Sequence, residues 1–320
     1  MRIRFGYVAI SNVLGKKVTS SGNVTYSTYS KLFSEEKKLN KLKAVTASNF
    51  NGLQEIIRYN IKNDIHFYRI TSALIPLVTH PEVGYWGHRE IFKKDFEYTG
   101  KLIRESNMRV DTHPDEFNVI NSTNEEVVQN SIRNLLRQVE WFEDLDYPEG
   151  KMVIHVGGAT GGKEAGLERF INNFRKLPEK IQERLIIEND DKTYTAKETL
   201  GLCQTLKIPM VLDLHHHNCN NDGENIEDMV EEIFNTWKGE KLPPKIHFSS
   251  PRSGEFDKKH ADYINAEAFI EFLEKTKKLD KDYDVMLECK EKDVALFKLV
   301  DDIKELRPDY TWLDKTTLLI

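Results

Sequence analysis

The sequence predicts an α/β fold, a (β/α)8 TIM barrel formed as a single domain over residues 1–320, on three observations. Eight short runs rich in apolar and β-branched residues are spread along the chain. Stretches with apolar residues at three- and four-residue spacing lie between them, clearest in NGLQEIIRYNIKND, EEVVQNSIRNLLRQVEWFEDL and IEDMVEEIFNTWK. Strands alternating with helices imply right-handed βαβ units and a parallel sheet, and eight such units in this length fit a closed barrel better than an open doubly wound sheet. Finally, nearly every strand ends in a residue able to do chemistry.

Taken in order, the first strand is read at 3–10 (IRFGYVAI) and offers Tyr7. The second, at 66–72 (HFYRITS), has His80 just beyond it in LVTHP. The third, at 108–113 (MRVDTH), ends in His113, and the fourth, at 151–157 (KMVIHVG), carries His155. The fifth, at 184–190 (RLIIEND), carries Glu188; the sixth, at 209–215 (PMVLDLH), carries Asp213 and runs into His215, His216 and His217. The seventh, at 245–250 (KIHFSS), holds His247, and the eighth, at 284–290 (DVMLECK), holds Glu288.

A hydrophobic content of 39% and a charged content of 31% suit an ordinary globular protein with a sizeable core. No 18-residue apolar stretch occurs, and MRIRFGYVAI is too short and strand-like for a signal peptide, so no membrane association and a cytoplasmic location are expected. Cys203, Cys219 and Cys289 are widely spaced with no C-x-x-C pair, which argues against a disulfide framework and a zinc ribbon. A formal net charge of −6 speaks against broad nonspecific DNA binding, although bound cations would change the local potential.

For any single histidine beside an apolar run, a satisfied core or surface role is the commoner explanation. Eight of the ten histidines, however, fall at or just past a strand end, on the face where barrels assemble active sites. Imidazoles mixed with carboxylates and no thiolate suit Zn2+, Mn2+ or Fe2+. So many ligands can hold two or three ions with a carboxylate between them, an arrangement suited to phosphoryl chemistry. Which of Asp213, His215, His216 and His217 ligate is left open by these residues alone, because strand alternation pairs Asp213 with His215.

Other motifs carry less. GGATGGK (157–163) approaches a phosphate loop, but Glu164 replaces the hydroxyl that would hold Mg2+, so the glycines are read as a tight turn after His155. THPEVG (79–84) and THPDEF (112–117) are two similar strand-to-helix turns. The segment at about 15–45 is read as a basic loop insertion carrying Tyr26, Tyr29 and Phe33, compatible with a nucleic-acid backbone or with a solvated surface.

Together, FGYVAISN, YRITSALIPLVTHP, DTHPDEF, VIHVGG, LIIENDD, LDLHHHN, PKIHFSSPR with KKHADYI, and LECKEKD resemble the UV damage endonuclease family, from near the start to about residue 290. The resemblance implies a TIM barrel related to AP endonuclease IV with up to three divalent ions, Mn2+ first and Zn2+, Co2+ or Mg2+ as alternatives; a monomer is the default expectation. It implies ligands at His80, His113, His155, Glu188, Asp213, His216, His247, His260 and Glu288, with His216 reached if the strand ends at Leu214 and the loop turns. It implies a carboxylated lysine beside the metals at Lys245, which joins Glu188 and Glu288 as the catalytic set. Tyr7, Asn12, Glu116 and Phe117 correspond to lesion-contacting positions; Glu116 stands where the family tends to have glutamine, and Phe117 can stack where bases are flipped. The implied substrate is damaged double-stranded DNA, nicked 5′ of pyrimidine dimers, 6-4 photoproducts and abasic sites by hydrolysis without a covalent intermediate.

The leading rival is a metal-dependent sugar isomerase or epimerase on the same barrel type. Its usual one or two ions and Glu/Asp-rich set fit the histidine excess and Lys245 less well. A non-catalytic metal-dependent binder would not need so many ligands.

Overall fold

The computed structural model describes all 320 residues. Eight parallel strands form the barrel: β1 (Arg2–Val8), β2 (Phe67–Ile70), β3 (Arg109–Thr112), β4 (Lys151–His155), β5 (Leu185–Glu188), β6 (Met210–Asp213), β7 (Lys245–Phe248) and β8 (Tyr283–Leu287). They pair in sequence order, and β1 pairs with both β8 and β2, which closes the sheet. A short antiparallel hairpin, β9 (Thr311–Trp312) and β10 (Thr317–Leu319), adds to β1, with Ile3 opposite Leu318.

The helices are α1 (Tyr26–Ser30), α2 (Glu35–Lys62), α3 (His88–Ile91), α4 (Lys93–Glu105), α5 (Glu125–Asp144), α6 (Lys163–Phe174), α7 (Glu179–Gln182), α8 (Ala196–Leu206), α9 (Leu214–Cys219), α10 (Val230–Asn235), α11 (Ala266–Lys277) and α12 (Lys292–Leu306). None is long and apolar enough to cross a membrane. The segment read as a loop insertion at 15–45 is helical from Glu35, where Ser34 caps the helix by accepting from the Lys37 amide, and Glu35 and Glu36 favour the positive N-terminal end. Irregular chain and α1 occupy its first two thirds, residues 15–34.

Strand alternation sorts the side chains. On β1, Ile3, Phe5 and Tyr7 face the helices, as the Phe5–Phe269 contact (5.6 Å between ring centroids) and the Tyr7 hydroxyl donating to Asn60 of α2 (2.7 Å) show. The opposite set points inward and is unusually charged. Arg4 and Arg109 both donate to Asp284, Lys245 pairs with Asp111, and Arg69 lies above them. Each charge has an opposite partner, the condition under which ionic groups are tolerated in an interior. The apolar core lies chiefly between the barrel and its helices, in one continuous cluster.

Candidate active site

The inward residues at the upper ends of the strands converge. His113 follows β3, His155 and Glu188 end β4 and β5 as register neighbours, and Asp213 ends β6 opposite His247 on β7. Glu288 follows β8. The sixth strand ends at Asp213, two residues short of the 209–215 reading and one short of Leu214, and the chain turns into helix α9 rather than a loop. Asp213 caps α9, accepting from the His216 amide at 2.8 Å. This turn swings His216 to the centre and leaves His215 and His217 buried on other faces of the helix.

Glu188 is the hub. Its Oε2 lies 3.1 Å from His113 Nε2 and 3.7 Å from His155 Nε2; its Oε1 lies 2.7 Å from His247 Nδ1 and 3.5 Å from His216 Nδ1. Three groups with mutually close ligand atoms share it: His113 and His155 with Glu188, Asp213 and His216 with Glu188, and His247 and Glu288 with Glu188.

Burial alone would raise the Glu188 carboxyl, but His247, His155 and His113 outweigh it and hold the group well below the usual carboxylate range. Burial likewise opposes ionisation of Glu288, and Arg69 with His247 overcomes it. Asp213 has less relief: burial, which His216 only partly offsets and to which Glu188 and Glu288 add, pushes it up to about 8, and its Oδ2 is buried without a hydrogen-bond partner. A buried carboxyl raised toward its neutral form, with an unpartnered oxygen among nitrogen and oxygen donors only, is suited to a divalent ion.

His80 and His260 are not drawn into these groups. His80 lies in the loop after β2, stacked on Tyr26 at 4.1 Å, its Nδ1 accepting from the Glu82 amide at 3.2 Å. His260 lies after β7 with its ring centroid 6.4 Å from that of His216, and its Nδ1 meets the Glu288 carbonyl. Tyr7 is corrected outright: alternation turns it toward α2, and it has no exposed surface with which to touch a lesion. Asn12 is half-buried in the β1 loop, its amide N–H donating to Asp293 at 2.7 Å. Glu116 is exposed in the loop after β3, and Phe117 is 75% exposed beside it. A cleft of about 820 Å3 opens next to them, lined by Ser72, Ile75, His80 and Trp141 among others.

Lys245 is fully buried at the barrel axis, held by Asp111. Burial is the largest influence on it and, with Arg69 and Arg109 close by, lowers it to about 8 against the pull of Asp111. Arg69 was missed by sequence reasoning. It donates from Nη1 to Glu288 at 2.6 Å and from Nη2 to His247 Nε2 at 2.7 Å. An arginine inside FYRI, a strand buried at every position, was the available signal. Asp111 and Asp293 were also unflagged; each is a fully buried carboxylate.

A family described as UV-endonuclease UvdE matches residues 3–311. The chain is 39% identical over 308 residues to a UV DNA damage endonuclease of Bacillus mycoides (strain KBAB4), covering 96% of each. The crystal structure of SacUVDE superposes with a TM-score of 0.84 at 36% identity, over 95% of this chain and 99% of that one. Endonuclease IV from Thermus thermophilus (TM-score 0.51, 13% identity, 88% of this chain and 91% of that one) and a D-tagatose 3-epimerase-like protein (0.53, 16%, 79% and 92%) share the barrel alone.

Proposed function

The chain belongs to the UV-endonuclease UvdE family, and from that premise we propose that it nicks damaged duplex DNA on the 5′ side of UV photoproducts, pyrimidine dimers and 6-4 photoproducts, and at abasic sites. The observation that carries the reading is Glu188, one buried carboxylate shared by three ligand groups. Up to three divalent ions, Mn2+ first with Zn2+, Co2+ and Mg2+ as alternatives, would be held by His113, His155, Glu188, Asp213, His216, His247 and Glu288, with His80 and His260 at the margin. When bound, such ions activate water at neutral pH and neutralise charge developing on a phosphodiester.

The chain's own residues do the rest. Glu188 stays ionised and, with Glu288 and Arg69, fixes the orientation of His247. Phe117 presents a ring that can stack in a gap left by extruded bases, and the neighbouring cleft offers room for displaced nucleotides. Glu116 places a negative charge near that path and narrows the accepted lesions. Lys245 is carboxylated, an uncharged amine adding CO2 and releasing a proton. Its lowered pKa makes the amine accessible, and the buried Arg69 Nε and Arg109 Nη2, both without partners, are donors for the resulting anion.

The comparisons favour the endonuclease over the sugar isomerase or epimerase, since the epimerase-like protein shares the barrel alone. A labelled duplex with one thymine dimer, incubated with protein and Mn2+, is expected to show a metal-dependent nick immediately 5′ of the dimer. The nick is expected to be absent from undamaged duplex and from a His113→Ala variant. Intact DNA under every metal tried, from folded and metal-loaded protein, would overturn the reading in favour of the epimerase.

A further inference from the structure

The loop between β7 and α11 is a preformed hairpin with an aromatic tip. Pro251 bridges His260 in antiparallel fashion, the Arg252 amide donates to the Lys259 carbonyl at 2.8 Å, and the Ala261 amide donates to Ser250 at 2.8 Å. The tip is turned by the Asp257 amide donating to Gly254 (2.8 Å), by the Lys259 amide donating to the Asp257 carboxylate (3.0 Å), and by Ser253 pairing with Asp257. Phe256 stands on this tip and is 66% exposed. Arg252 and Lys259 around it are also exposed, as is Lys258, which pairs with Asp191; of the tip's own carboxylates Asp257 is engaged within the turn and Glu255 is free.

The hairpin is fixed to the metal-ligand cluster at two points. His260 at its base meets the carbonyl of Glu288, and the Cys219 thiol at the end of the His216 helix lies 3.8 Å from the Phe256 carbonyl oxygen. In the closed barrel order, β7 and β3 are separated by three strands on either side. Phe256 and Phe117 therefore rise from opposite rims, with the Glu188 cluster between them.

A large apolar ring held out in water by an ordered, cation-flanked turn is matched to a ligand with flat apolar faces and a negative backbone. We infer that Phe256 is a second stacking contact for DNA: it packs on a nucleobase on the far side of the cleavage centre from Phe117, while Arg252 and Lys259 meet adjacent phosphates. The duplex is thereby gripped on both sides of the reactive centre, from two rigid loops. This deepens the function proposed above and rests on it.

The test compares wild type with Phe256→Ala and Phe256→Trp, each checked for unchanged melting temperature and metal content. The probe is a thymine-dimer duplex carrying 2-aminopurine at successive positions on either side of the lesion. Stacking of one base on one aromatic ring is worth about 1–3 kcal/mol, so the alanine variant should bind roughly 5- to 150-fold more weakly. Quenching of 2-aminopurine at one position should be seen with wild type and with tryptophan, and abolished with alanine. Arg252→Gln combined with Lys259→Gln should flatten the log–log salt dependence of binding by roughly 0.9 for each phosphate that is no longer neutralised. An alanine variant with wild-type affinity and an unchanged quenching map would overturn the inference and leave the proposed function standing. Wild type that neither binds nor cuts any damaged duplex would overturn both.

Discussion

Glu188 and Asp213 lie in the same buried cluster yet behave as opposites, because four imidazoles surround the first while only His216 offsets the second. Glu188→Gln would remove the anion shared by all three ligand groups. Its expected result is loss of bound metal together with a fall in kcat on damaged DNA of about 10²–10³-fold or more, read by elemental analysis and single-turnover cleavage. A second residue makes a prediction away from the site. His88 opens α3 with its ring fully buried and both nitrogens without partners. Burial, then the Arg137 charge, lower its pKa to about 4, against Glu140 and Asp144, with Arg89 also facing it. Folded His88 is thus neutral at pH values where the unfolded chain, with a pKa of about 6.5, takes up a proton. Stability must fall as pH drops from about 6.5 to about 4, by roughly 2 kcal/mol at pH 5 from this group. Urea unfolding of His88→Leu should show that much less acid sensitivity than wild type between pH 7.5 and 5; identical pH dependence would refute the assignment. The convergence of the site residues was legible in the sequence because residue type and strand-end position agree for His113, His155, Glu188 and Glu288. Arg69 was not, because arginine is not a metal-ligand type, although it stands one residue before its strand end just as His247 does. Tyr7 was misplaced for a related reason: its position at a strand end was read without applying the alternation that turns it away from the axis.

At the level of elements, the decisive feature is how each strand stops. The six site strands β3 to β8 place their last inward side chain, or the one just after it, at the same height. A one-residue change in where β6 ends would put His215 at the centre instead of His216. Periodicity alone did not decide between them; the cap from Asp213 to the His216 amide does, a tertiary and local hydrogen-bonding preference acting together. The β1 loop depends on a comparable device. Asp293, at the start of α12, is fully buried, pairs with the Ser11 hydroxyl and accepts from the Asn12 amide at 2.7 Å. Asp293→Ala would leave both donors without that acceptor, at a cost of about 1–3 kcal/mol. The expected signs are a lowered melting temperature and new protease cleavage between residues 9 and 14, with Asn12 no longer held; an unchanged digestion pattern would show that the loop is ordered by other interactions. The hairpin β9–β10 escaped the sequence reading because strands of two and three residues carry too little pattern to be seen. What defines them is pairing with the lower half of β1, a nonlocal fact.

For the whole molecule, the open question is how a chain of net charge −6 approaches DNA. The barrel axis uses its buried arginines internally, paired with Asp284 and Glu288, so they add little to the outer field. The exposed cations on the reactive face lie in loops, Arg252 and Lys259 among them, while in the cluster Glu188 and Glu288 are held ionised against the imidazoles and Arg69, which leaves no surplus positive charge there. Without divalent ions, that face should attract a phosphate backbone weakly. Three ions would add about +6 at the point of contact, enough to reverse the local sign. Metal-free protein is therefore expected to bind damaged duplex poorly, and a non-hydrolysed complex of the metal-loaded protein to bind more tightly and with a steeper dependence of log affinity on log salt. The measurement is a salt titration of binding to a duplex whose scissile phosphate is replaced by a phosphorothioate, with and without prior removal of metal. Equal slopes and equal affinities would mean that the loops alone supply the attraction, so that the ions serve the cleavage step without helping to hold the substrate. Unequal slopes would make the same buried carboxylates responsible, through the ions they gather, for both recognition and reaction, which explains why a protein that acts on DNA can carry an acidic sequence at all.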